Sequence, residues 1–164
     1  MGANRGDWTR LALSIFPNAA AIMIEPQDEM ATYLTKLSAT LANCHYVKAG
    51  AGSETGELVQ TIWPDLNGSS FLFPFENDPL RNGKQRKTQI VTIDSLLQNT
   101  YPDFVPDLVK LDIQGFELEA GSTLSEKDGP DCTHQFSALY LWYSSHFQRD
   151  AVCLINFQDY VTGA

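Results

Sequence analysis

Apolar and polar positions alternate between two periods along the first third of the chain. Trp8, Leu11, Ala12, Ile15 and Phe16 fall on one face of a 3.6-residue repeat, and Pro17-Asn18 ends it. Ala19 to Glu25 is then a continuous apolar run closed by an acid, the pattern of a strand covered on both faces. Met30, Tyr33, Leu34, Leu37 and Leu41 return to helical spacing, with Pro26 near the start, where a missing amide does least harm. His45-Tyr46-Val47 begins another strand, followed by the small-residue stretch Ala49-Gly50-Ala51-Gly52. Strands joined by crossover helices predict a parallel sheet of the α/β class.

From Glu57 the period shortens. Leu58 to Trp63, Phe71 to Phe75 and Thr88 to Thr92 read as strands separated by Asn67-Gly68 and Asn82-Gly83, an antiparallel meander inserted into the α/β pattern. Pro74 removes a ladder donor and places the middle strand at an edge. Asp94 is expected to cap a short helix holding Leu96 and Leu97. Asp107 to Ile113 is the strongest strand of the second half, and Gln114-Gly115-Phe116-Glu117 follows at once. Gly121, Gly129 and Pro130 interrupt the next helix, Ala138 to Tyr143 suits a last strand, and 156–164 have no clear period.

Composition narrows the function classes. With 43% hydrophobic residues in 164, one domain over residues 1–164 with its own core is expected. Twenty acidic against eleven basic residues give a formal charge of −9, which disfavours nucleic acid and anionic membrane surfaces as partners. The basic cluster from Arg81 to Lys87 reads as a solvated loop or strand entry. No apolar stretch reaches bilayer length and no secretory leader pattern opens the chain, so a cytoplasmic location is expected. Cys44, Cys132 and Cys153 are widely spaced and read as reduced thiols, with Cys44 buried in a strand.

Four features belong at the carboxyl edge of such a sheet, where ligands of open α/β folds bind. Gly2-x-x-x-Gly6 precedes a helix: the glycines admit close backbone approach, and the helix start favours a carboxylate. Glu25 ends the next strand 19 residues after Gly6, a spacing suited to accepting hydrogen bonds from ribose hydroxyls; an acid favoured by a helix start is the competing reading. Ala49 to Ser53 offers a turn of small residues against which an adenine fits, or a plain flexible turn. Asp112 and Glu117 place two carboxylates at a strand end and the following helical turn, where one takes a proton from a hydroxyl, holds a divalent metal or only caps the helix. His45, at a strand start, ranks below these acids as a base.

In order and spacing, Gly2-Ala3-Asn4-Arg5-Gly6-Asp7-Trp8-Thr9, Ile24-Glu25-Pro26, Gly68-Ser69-Ser70, Val91 to Leu97 and Pro106 to Glu119 resemble an FkbM-type methyltransferase domain over roughly residues 1 to 120. The resemblance implies a class I methyltransferase sheet, a Rossmann-like three-layer sandwich. It also implies S-adenosylmethionine as cofactor and methyl transfer to a hydroxyl of a small molecule or sugar. Carried onto this sequence, it implies that Gly2, Ala3, Asn4 and Gly6 approach the methionine part of the cofactor, that Glu25 holds the ribose, and that Ala51 lies by the adenine. Asp112 borders both cofactor and transferred methyl, with Asp112 the first expected base and Glu117 the second. Mg²⁺ is permitted by the two acids and not required.

The resemblance departs from the family at both ends. An apolar strand ending in an acid normally enters the glycine loop, and Met1 stands where it would finish, so a sheet lacking its central strand is expected. Residues 121–164 follow no family pattern, and Ala138 to Tyr143 is the expected replacement strand. A catalytically inactive fragment or misread gene product is therefore the alternative to an O-methyltransferase. A nicotinamide-dependent oxidoreductase ranks last, because Gly2 to Gly6 does not supply G-x-G-x-x-G.

Overall fold

The computed structural model describes residues 2–64, 66, 68–71 and 83–122, together with the backbone of 138–141 and 153–156. Apolar alternation sets the first unit. β1 (Ala20–Ile24) pairs in parallel with β2 (Cys44–Val47), and α2 (Asp28–Thr40) forms the crossover between them. Ile22 and Ile24 point to one side of β1, into a core with Ile93, Leu96, Val109, Leu111 and Ala120; Ala21 and Met23 point to the other, against Ala12, Met30, Leu34 and Leu37. Such a strand is buried on both faces, as its unbroken apolar run requires. Each large aliphatic side chain so buried contributes roughly 1.5–3 kcal/mol.

α1 (Asp7–Ile15) is rotated relative to the expected stripe. Thr9 and Ala12 are buried, whereas Leu11 and Ile15 are exposed. The rotation is fixed at Gly6, which caps the helix at φ +79°; a β-carbon there would lie 2.5 Å from Leu37 Cδ2, so α1 starts tight against α2. α2 keeps the expected inner face through Met30, Leu34 and Leu37, and Tyr33 lies outside it with the Arg5 guanidinium 5.3 Å above its ring. Cys44 is buried as expected, and desolvation pushes its thiol up to about 11.

The sheet order is β2-β1-β8-β6-β7, with β6 at Leu108–Leu111, β7 at Ala138–Leu141 and β8 at Cys153–Asn156. The expected last strand is present as β7, but it pairs in parallel with β6 on the side away from β1 and does not fill the centre. That place is taken by β8, antiparallel to both β1 and β6. Its amides and carbonyls close the ladders that two separated parallel strands would otherwise leave open. Because β1 and β6 both oppose β8, they run the same way, and their carboxyl ends share one edge.

A second sheet, ordered β3-β5-β4, supplies the rest. β4 (Gly56–Ile62) and β5 (Lys84–Val91) form the expected antiparallel pair, while β3 (Gly50–Ala51) adds to β5 in parallel. The expected strand from Phe71 to Phe75 lies, beyond Phe71, outside the described residues; Ser70 bridges to Thr61. Arg86 on β5 reaches Glu29 at 2.6 Å and Asp28 at 3.3 Å, tying this sheet to the start of α2. α3 (Ile93–Asn99) is capped by Thr92, whose hydroxyl accepts the Ser95 amide at 3.0 Å; Asp94, the expected cap, lies in the first turn instead. α4 (Glu117–Gly121) is a short turn of helix after β6. Among the described residues no helix is long and apolar enough to cross a membrane.

Candidate active site

Two strand ends meet at the carboxyl edge. At β1, Glu25 is 1% exposed and accepts the Asn4 amide on Oε2 and the Gln27 amide on Oε1, both at 3.0 Å. The Ala3 amide reaches the Ile24 carbonyl at 3.3 Å, and Gly6 closes the turn on the Ala3 carbonyl at 2.7 Å. Gly2 (φ +86°) and Asn4 (φ +47°) are left-handed, which folds the loop back over the strand end. The glycine loop and Glu25, separate motifs in the sequence, are thus one hydrogen-bonded unit.

At β6, Val109 and Leu111 enter the core while Lys110 and Asp112 share the opposite side of the strand, as a two-residue period dictates. Lys110 Nζ, on a side chain 11% exposed, lies 3.2 Å from Asp112 Oδ2 and 5.8 Å from the Trp8 ring centre. Burial raises the Asp112 carboxyl above its ordinary value; Lys110 opposes the rise and Glu117 adds to it. The following loop is held in an unusual shape, with Gln114 at φ +56° and Gly115 at φ +95°. Glu117 supports it: Oε1 accepts the Ile113 amide at 2.7 Å and the Gly115 amide at 3.2 Å. Phe116 packs on Phe71 (centroids 5.6 Å apart), and the Ser70 hydroxyl donates to the Gln114 carbonyl.

Gly2, Glu25, Pro26, Gln27, Gln60, Ser69, Phe71, Asp112 and Ile113 line a small, open cleft. Of the residues the sequence pointed to, Gly2, Glu25 and Asp112 come together on it. Ala3 and Asn4 hold the adjoining loop, Gly6 is engaged with α2, and Glu117 lies behind Asp112 on its own loop. Ala51 is fully buried in the core, paired with Val91. His45 stacks on Tyr101, with ring centres 5.1 Å apart.

Gln27, Gln60, Ser69 and Lys110 escaped the sequence reading. Two of them left a trace: Lys110 interrupts the run Leu108 to Leu111, and Ser69 stands in the Gly68-Ser69-Ser70 block of the resemblance. Among the described residues no group of three or more His, Cys, Asp or Glu side chains is arranged to hold a metal ion.

A curated relative, "Methyltransferase sdnD" of Sordaria araneosa, is 26% identical over 153 residues, covering 77% of this chain and 59% of the relative. The chain thus spans about three fifths of that protein's length. No solved structure matches. The methyltransferase FkbM domain model matches residues 1–139, past residue 120 and into β7. The chain belongs to the methyltransferase FkbM domain family.

Proposed function

We propose that residues 1–164 form one class I, Rossmann-like methyltransferase domain that moves a methyl group from S-adenosylmethionine to a hydroxyl of a small molecule or sugar. One observation carries the reading: the glycine loop, Glu25 and Asp112 border a single cleft at the carboxyl edge of the sheet.

The cleft carries the chemistry the cofactor needs. Glu25 and Asp112 put two carboxylates among its lining residues, the second paired with Lys110. Gly2 leaves the wall without a side chain. Glu25, a buried carboxylate on the cleft wall, is the group that would receive a ribose hydroxyl. When bound, S-adenosylmethionine supplies a sulfonium methyl as electrophile.

The protein's part is to align the attacking oxygen and remove its proton. Asp112 is the base. Desolvation raises its proton affinity, and Lys110 limits the rise and fixes one oxygen. Glu117 is a positioning residue, since its Oε1 is committed to loop amides. Titration calorimetry with S-adenosylmethionine tests the reading, and absence of binding at millimolar ligand overturns it.

A further inference from the structure

Gln27 is 2% exposed, lines the cleft and carries a buried side-chain oxygen, Oε1, with no hydrogen-bond partner among the described residues. Its orientation is set chemically. Nε2 donates to the Leu66 carbonyl at 3.2 Å, and turning the amide over would place oxygen against oxygen. Its backbone amide is meanwhile held by Glu25 Oε1. Glu25 and Gln27 thus both line the cleft, and of their side-chain acceptors it is the Gln27 amide oxygen that has no partner among the described residues. Buried acceptors are normally satisfied, and an unsatisfied one beside a cleft marks the place of a ligand's donor.

On the reading that S-adenosylmethionine binds here, we propose that Gln27 is a specificity-determining residue. One hydroxyl of the ribose vicinal diol donates to Glu25 and its neighbour to Gln27 Oε1. A diol offers two donors to the two residues, and the amide oxygen leaves no net charge to be compensated.

The test uses S-adenosylhomocysteine and its 2′-deoxy and 3′-deoxy analogues, titrated into the wild-type chain and Gln27→Met. The wild type is expected to lose about tenfold in affinity with either deoxy compound. In Gln27→Met one of the two losses vanishes and the other persists, while the parent compound binds about tenfold more weakly. Both losses persisting undiminished in a folded Gln27→Met chain overturns the assignment and leaves the cofactor reading standing. Failure of the wild type to bind the parent compound overturns both. Should Gln27→Met fail to fold, Gln27→Glu keeps the shape of the side chain. There the same deoxy loss must change in size while its partner stays constant; constancy of both refutes the role of Gln27.

Discussion

Glu25 and Asp112 end parallel strands on the same edge, the first buried and the second half-buried, and their surroundings give them different chemistry. Glu25 faces backbone amides, which are neutral, fixed and numerous. Asp112 faces the Lys110 ammonium and is largely desolvated. Amide donors spend the lone pairs of Glu25 on holding a loop, which makes a scaffold. Desolvation that outweighs its cationic neighbours leaves Asp112 with a raised proton affinity, which makes a base. Glu117 repeats the Glu25 pattern one turn beyond Asp112.

The contrast predicts unequal responses to loss of each acid. Asp112→Asn is expected to lower the rate of methyl transfer by about 10²- to 10⁴-fold, with cofactor affinity within threefold of wild type, read by single-turnover kinetics beside calorimetry. A rate within tenfold of wild type removes Asp112 as the base. Glu25→Ala strands two buried amides and should cost roughly 2–4 kcal/mol of stability in urea unfolding, along with cofactor binding. Glu117→Gln keeps one acceptor oxygen and is expected to lose about 1 kcal/mol, with a rate reduced far less than in Asp112→Asn. Equal rate losses in the two variants would erase the distinction between base and scaffold.

Two smaller effects concern cations. Lys110→Met removes the influence that opposes desolvation, so the Asp112 carboxyl rises further. The base must be ionised to act, and the acidic limb of the pH–rate profile moves to higher pH; a shift to lower pH would contradict the pairing. At the sheet–helix tie, the hydrogen bond from Arg86 holds Glu29 down at about 2 from an ordinary 4.5. Because the folded form is the weaker proton acceptor, this stabilisation is complete above the unfolded value near 4.5 and is lost as pH falls toward 2. Both groups are partly exposed, so the effect is below about 1 kcal/mol. Arg86→Met should lower neutral stability by that small amount, leave stability near pH 2 nearly unchanged, and so abolish that part of the acid dependence in urea unfolding.

The unit β1–α2–β2 was legible because its apolar periods are long and its strand is buried on both faces. α1 was legible as a helix but not in its facing: Leu11 and Ile15 fit the stripe, and only the contact of Gly6 with Leu37 turns them outward. β8 was hidden, since Cys153-Leu154-Ile155-Asn156 is a short segment with three apolar residues whose strand form depends on two partners far away in sequence. At the site, Glu25 and Asp112 stood out as acids ending apolar runs. Gln27 did not, because a glutamine just ahead of a helix looks like any surface residue until its burial is known.

The antiparallel strand at the centre of the main sheet also orders events during synthesis. Residues 20–23 and 108–110 gain their shared neighbour only when residues 153–156 have been made. Until then β1 and β6 each present an open edge. A nascent chain is therefore exposed to wrong strand pairing for most of its translation, and closure of the sheet is a late step of high contact order.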